Sequence, residues 1–445
     1  MNRKVLAAIG IILIGIALVG AWQLQIFPTA KETGTTRVAK LENGMTVIVR
    51  ENHAASIVAL DVWVNTGAIN ENEENNGVSH FFEHMLFKGT EKRGVGEFDR
   101  EIESLGGRNN AGTAFDFTHY YVVVSSKFFD ETLDALSDVI MNSVFDADEI
   151  EKERLVVLEE KRRSLDNPMT VVFQALYELS FPGHPYHKTV LGTMESISSL
   201  EREQFRTYHR EYYVPNNIVF VVAGDVDSDL VIAKAEEAFR DFKPRELTLP
   251  EFSLEAPEPG VRRRVIEKDV EQAYMGISFL APSIKSEDVY ALDVMSTVLG
   301  KGRSSRLYQR IREEEQLVTS IDGFYISQRD GGQVIILATL KSEDIQRAEE
   351  EILEEVARLR EANVPTEELD KAKTQLITEY AYDTETNLDQ TILLGYYQVV
   401  AGDYNLALIY PDEVEKIKAE DVRRVASTYL TDEYSIVIVK PRGGT

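Results

Sequence analysis

The chain contains no cysteine, which excludes disulfides, thiol catalysis and cysteine-based zinc sites; any metal must be held by His, Asp or Glu. Positive charge is scarce as well, with 48 Lys and Arg against 75 Asp and Glu and a formal net charge of −27. Binding to a phosphate backbone rests on clustered Lys and Arg, so no nucleic-acid partner is expected, and the acidic surplus reads as solvated surface. Histidine is also rare, at seven in 445 residues. What is plentiful is apolar: 43% hydrophobic content over this length exceeds one ordinary core and predicts two domains of roughly 200 residues each.

At the N-terminus, Arg3 and Lys4 precede an unbroken apolar run from Val5 to Trp22, long enough to span a bilayer. The run exceeds a usual signal-peptide core, which predicts a retained membrane anchor, although Val19-Gly20-Ala21 offers a cleavage site that would leave the chain secreted or periplasmic. Positive charge on the short flank keeps that end cytoplasmic and places the remaining chain on the extracytoplasmic side of the cytoplasmic membrane.

Beyond Pro28, strand and helix patterns alternate. Asn43-Gly44 marks a hairpin turn, and Val58, Leu60, Val62 and Val64 alternate at the strand period. Helical patterns run from Gly77 to Phe87, Glu97 to Leu105, Phe128 to Val144 and Asp148 to Ser164. Proline and charge then replace periodic hydrophobicity around Arg240 to Arg264, which reads as a linker. The expected division is 1–34 for anchor or signal segment and linker, 35–240 for the first domain, 241–264 for the linker and 265–445 for the second. At an offset of 217 residues, Phe205 falls in step with Val422, Tyr212 with Tyr429, Val219 with Ile436 and Val221 with Ile438, which predicts duplication of one α+β unit.

The stretch GVSHFFEHMLFKGT, Gly77 to Thr90, places His80, Glu83 and His84 within one sector of a helix. Two imidazoles one turn apart can hold zinc from a single rigid element. Zinc lowers the pKa of a bound water to about 7, after which a nearby carboxylate can take its proton during attack on a carbonyl. A hydrolytic zinc site usually takes a third protein ligand. In DADEIEKERLVVLEEKRRSLDNP, Glu153, Val156, Val157 and Glu160 form one stripe, so two carboxylates share a valine-lined face, while Glu149, Glu151 and Glu159 read as solvated. Glu160 or Glu153 is therefore the expected ligand, with the other supporting a histidine. His184 and His187, in a loop with Pro182 and Pro185, are a rival pair for which a structural role is expected.

With these residues the chain resembles the pitrilysin or insulinase-like metallopeptidases, whose zinc motif is the inverted H-x-x-E-H. The likeness runs from Arg37 to Lys440 through LENGMTVIV, HFFEHMLFKGT, GGRNNAGTAFDFTHYY, ERLVVLEE, FPGHPYHKTVLG, YYVPNNIVFVVAGD and SSRLYQRIREEEQL. It implies one zinc per chain on His80, His84 and Glu160, Glu83 as general base, and Glu153 as the supporting glutamate. The implied fold is α+β, with two homologous domains, each a mainly antiparallel sheet covered by helices on one face, meeting as a clamshell around a chamber for unfolded peptides. Asn110, Ala111 and Thr113 would lie on the edge strand that receives the peptide. The implied activity is zinc endopeptidase.

One position departs from the family. Active members carry in the second domain an arginine and, seven residues later, a tyrosine that hydrogen-bonds the substrate carbonyl; Arg312 matches, but the tyrosine position holds Thr319. Tyr325 shares the strand parity of Thr319 but lies about 20 Å along it. Some bacterial members resemble split enzymes similar to mitochondrial processing peptidase subunits, in which an unlike companion chain carries the arginine and tyrosine. A dimer with such a companion is the expected assembly, with a homodimer as alternative. A non-catalytic peptide-binding or assembly subunit of the same fold is the alternative function.

Overall fold

The computed structural model describes residues 34–443 apart from 248, 251, 253 and 255–258. The apolar N-terminal run, and with it the expected anchor, lies outside the described residues. Among those described, no helix is long and apolar enough to cross a membrane.

The Asn43-Gly44 turn forms because Gly44 takes a positive φ of 90° and the Asn43 side chain accepts from Met45 N at 3.1 Å. It joins β1, Thr36–Lys40, to β2, Thr46–Glu51. With β3 (Ile57–Val64), β4 (Arg108–Thr113), β5 (Thr118–Ser125) and β6 (Ile218–Gly224) they make a six-stranded sheet in the order β1-β2-β6-β3-β5-β4. Only the β2–β6 pair is parallel. Val58, Leu60, Val62 and Val64 share one face with Tyr120 and Val122, and pack on helices of the same half that include α1 (Val78–Leu86) and α2 (Ala147–Asp166). Next in the chain come α3 (Pro168–Ser180) and α4 (Arg202–Tyr212).

The second half repeats this plan. β7 (Arg262–Lys268), β8 (Ala273–Ala281), β9 (Val318–Ser327), β10 (Gly332–Leu340) and β11 (Ser435–Pro441) are ordered β7-β11-β8-β10-β9, with β7–β11 as the parallel pair. Its helices include α5 (Val289–Gly300), α6 (Asn387–Tyr396) and α7 (Ala419–Tyr429). The offset of 217 is kept: α4 begins at Arg202 and α7 at Ala419, β6 at Ile218 and β11 at Ser435. The protein is an α+β molecule of two like-built halves. β7 begins at Arg262, within the 241–264 stretch.

Each sheet also has its second face covered, and the covering helix comes from the other half. Helix α6 lies on β3 and β6, where Leu394 joins Trp63, Val219 and Val221 in an apolar cluster. Helix α3 lies on β8 and β11, where Val172, Ala175 and Leu176 meet Val437 and Val439. Glycine permits both approaches: a Cβ on Gly395 would sit 2.3 Å from Trp63 Nε1, and one on Gly276 2.5 Å from Val172 Cγ1. This is why β3 is buried on both faces although its sequence alternates.

A polar network also joins the halves. Tyr186 OH donates to Asp116 Oδ1 at 2.7 Å, the Arg329 backbone N–H donates to Asp116 Oδ2 at 3.0 Å, and His184 Nε2 lies 3.2 Å from Asp330 Oδ2. His187 Nδ1 contacts the His184 carbonyl at 2.7 Å. These two histidines therefore serve the loop and the junction.

Gly395→Ala should lower the urea-unfolding free energy by about 1–3 kcal/mol, because the added methyl forces α6 off Trp63. An unchanged midpoint would show that this contact does not set the spacing of helix and sheet.

Candidate metal centre

Helix α1 lacks an ordinary cap. Its N-cap is Gly77, at φ 92°, with no side-chain cap bond. The carboxylate of Glu71 takes that place, accepting from Gly77 N at 2.7 Å, Ser79 N at 2.8 Å and Asn76 Nδ2 at 2.8 Å. Burial pushes the Glu71 pKa up against the pull of these donors. Phe81, Phe82, Met85 and Leu86 anchor one side of α1 in the first core, while His80, Glu83 and His84 occupy the other. Glu71 could not be singled out in the sequence, where it stands in a run with Glu73 and Glu74.

Helix α2 is capped by Asp146, which accepts from Asp148 N and Glu149 N. It brings Glu160 Oε2 to 3.6 Å from His80 Nε2 and 3.5 Å from His84 Nε2. One ligand atom from each of the three lies within 4.8 Å of the others, and among the described residues this is the group of three that could hold a metal. Tetrahedral zinc with bonds near 2.0–2.1 Å separates its ligand atoms by about 3.3 Å, so the donor set fits zinc with little movement. Glu153 lies a heptad earlier, with Oε1 3.0 Å from His84 Nδ1 and Oε2 2.7 Å from Lys88 Nζ. His80 Nδ1, by contrast, is buried and meets no hydrogen-bond partner among the described residues.

The valine-lined face expected on α2 is only half present: Val157 is fully buried, but Val156 is 50% exposed. Glu160 keeps 44% side-chain exposure and Glu153 13%, so the buried supporter, rather than the ligand, is the carboxylate the apolar surface encloses. Glu151 and Glu159 are open to solvent, whereas Glu149 is largely covered and pairs with Lys152.

The electrostatics divide the two imidazoles. Burial and the neighbouring His84 charge lower His80 to about 4. Burial also opposes charge on His84, but Glu153, Glu160 and Glu83 overcome it and raise its pKa to about 9. In the metal-free pair these shifts favour a neutral His80 beside a positively charged His84 at neutral pH. His84 Nδ1–H points to Glu153, so the proton that a metal displaces is the one on Nε2. Contact with His84 lowers Glu160, and burial raises Glu83.

Glu83 Oε2 accepts from Thr113 Oγ1 at 2.5 Å, which ties α1 to β4, an outer strand of the first sheet. Thr113 and Ala111 share the core face; Asn110 is exposed and points to the other. Arg312 and Thr319 meet each other instead: Arg312 Nε donates to the Thr319 carbonyl at 2.9 Å, and its guanidinium lies 4.7 Å over the Tyr308 ring and contacts the Tyr308 hydroxyl. Thr319 Oγ1 donates to Thr339 O at 3.1 Å, and Tyr325 OH donates to Pro282 O at 2.9 Å.

Because zinc must displace the His84 proton, its apparent affinity should rise about tenfold per pH unit through neutrality and level off above pH 9. Glu153→Gln should weaken zinc about 10- to 100-fold and bring that plateau to lower pH, since the pull on the His84 ring is reduced. Competition titrations with a chromophoric chelator measure both; a pH-independent affinity would contradict the extra proton on His84.

Known proteins resemble this chain along most of its length. The family model described as insulinase (peptidase family M16) matches residues 46–194, and that described as peptidase M16 inactive domain matches residues 199–376. A Bacillus subtilis protein named uncharacterized zinc protease YmxG is 30% identical over 402 residues, covering 90% of this chain and 97% of that protein. Zinc protease PqqE of Helicobacter pylori is 29% identical over 411 residues, 90% of this chain and 92% of that one. The probable mitochondrial-processing peptidase subunit beta of Arabidopsis thaliana is 29% identical over 409 residues, 89% of this chain and 77% of that one. Among solved structures, a Helicobacter pylori protease superposes with a TM-score of 0.86 at 28% identity, covering 92% of this chain and all of that one. Both halves are thus matched in order, and the chain belongs to the insulinase-like peptidase family M16.

Proposed function

We propose that this chain is a zinc endopeptidase that hydrolyses unfolded peptides, with one zinc held by His80, His84 and Glu160. The observation that carries the reading is Glu83: a half-buried carboxylate next to a ligand, tied to an edge strand, serves no purpose in a site that only stores metal. The printed names of the relatives, zinc protease and processing peptidase, support the same chemistry.

Zinc when bound supplies a Lewis acid that activates water and polarises a carbonyl. An extended peptide adds to the open edge of β4, where alternate residues of the strand containing Asn110 and Ala111 turn their backbone N–H and C=O outward to align it. Thr113 holds Glu83 Oε2, which leaves Oε1 to take the proton of the attacking water and pass it to the leaving amine. The raised pKa of Glu83 suits both steps. The two halves would form the walls of a chamber that admits unfolded chains. The apolar run from Val5 to Trp22 would anchor the protein outside the cytoplasm.

Thr319 supports a second element of the proposal, a dimer with an unlike companion chain that carries the missing tyrosine. The reading of this chain as a binding or assembly subunit draws on the same position, and on the description of the model that matches residues 199–376 as an inactive domain.

Glu83→Gln should retain zinc while cleavage of a quenched unstructured peptide falls below detection; retained cleavage would remove Glu83 from the chemistry. Thr319→Tyr should raise turnover of the lone chain about 10- to 100-fold if an absent carbonyl donor limits it. A lone wild-type chain that is fully active, and indifferent to this change and to any companion, would sink the split-enzyme element.

A further inference from the structure

The face of the first sheet beneath α6 carries a carboxyl–imidazole pair in apolar surroundings. Asp61 on β3 is fully buried, and its two oxygens lie 3.2 and 3.3 Å from Nδ1 of His119 on β5. Trp63 stacks on the His119 ring at 4.3 Å, and Phe117 flanks it. From the second half, Thr391 Oγ1 approaches Asp61 Oδ2 at 3.2 Å, its one hydrogen divided between that oxygen and the Leu388 carbonyl at 2.8 Å. A well-packed apolar pair would hold such a site at least as well, so stability does not account for the dyad, and no step above uses it.

Its free nitrogen has a definite outlook. His119 lies opposite Gly112 in the β4–β5 register, and a Cβ at Gly112 would stand 3.0 Å from His119 Nε2. Glycine in an edge strand therefore leaves the imidazole uncovered beside that edge. The His119 side chain keeps 12% exposure while Asp61 keeps none. Thr113, the next residue, points to the opposite face and holds Glu83. Glu83 and His119 thus flank β4 from its two sides.

We propose that His119, oriented by Asp61 and Thr391, is a second contact for the bound peptide, meeting a polar side chain that the added strand turns to the face of β4 opposite the metal helix. This rests on the peptidase reading. An extended strand keeps its backbone groups in the plane of the sheet and turns alternate side chains to each face, so with Nδ1 held by Asp61, Nε2 is left to hydrogen-bond a side-chain hydroxyl, amide or carboxyl group there. Through Thr391, the helix that the second half lends to the first sheet also sets the orientation of a substrate contact.

The test uses the zinc-loaded full chain with Glu83→Gln to prevent turnover, and a fluorescein-labelled unstructured peptide followed by anisotropy. Adding His119→Gln should weaken binding about 10-fold, with zinc content unchanged. Adding Gly112→Ala instead, which sets a methyl against Nε2 and leaves Asp61 paired, should weaken it in the same direction. In the active background, His119→Gln should raise KM by a similar factor and alter kcat less. Equal affinity with and without His119, or no peptide binding by the Glu83→Gln chain, overturns the contact. If peptide binds in a His119-dependent way but the wild type cleaves nothing, the contact stands and the peptidase reading fails. If the wild type cleaves and neither Kd nor KM responds to His119, the reading stands and the contact fails.

Discussion

Two imidazoles and a carboxylate converging on one point must be held there against desolvation and against the repulsion of a second positive ring. The Glu153–His84–Glu160 bridge between α1 and α2 does this. It works because each helix supplies its pair at a helical interval, four residues for the histidines and seven for the glutamates. Glu153 fixes one ring nitrogen and thereby turns the other toward Glu160. Helix α1 has only nine residues and would be marginal alone. Its beginning is secured by Glu71, its apolar side by the first core, and its middle by Thr113 through Glu83.

The exchange of helices between the halves is the second constraint. A sheet clothed on one face by its own helices would leave Ile48, Trp63 and Val221 in water; α6 removes them from it, and α3 does the same for Val437 and Val439. The same coverage makes a buried carboxylate at Asp61 tenable, because α6 brings the Thr391 hydroxyl to it. Burial by the second half and electrostatics in the first half are therefore one arrangement, and duplication of the unit explains why it occurs twice in mirror roles.

Much of this was legible in the residues. The period-two alternation of Val58 to Val64, the Asn43-Gly44 turn and the offset of 217 between α4 and α7 are local or repeated signals, and local signals survive folding. His80, Glu83 and His84 could be placed on one helix face by spacing alone. What spacing could not reach were contacts between segments far apart in the chain. The Glu71 cap looks like any acid in a polar run, and the partnership of Asp61 with His119 and Thr391 spans 58 and 330 positions. Helix α3 was missed because its apolar residues face another half's sheet, and the exposure of Val156 was missed because a stripe shows which residues align but not how wide the buried sector is.

The central claim is that His80, His84 and Glu160 close on a single metal ion. Anomalous diffraction at the zinc absorption edge, on crystals of the zinc-loaded chain, tests it most directly. The expected result is one strong peak per chain within about 2.0–2.2 Å of Nε2 of His80, Nε2 of His84 and Oε2 of Glu160. A peak bound elsewhere, or none at this triad in a zinc-loaded crystal, would contradict it.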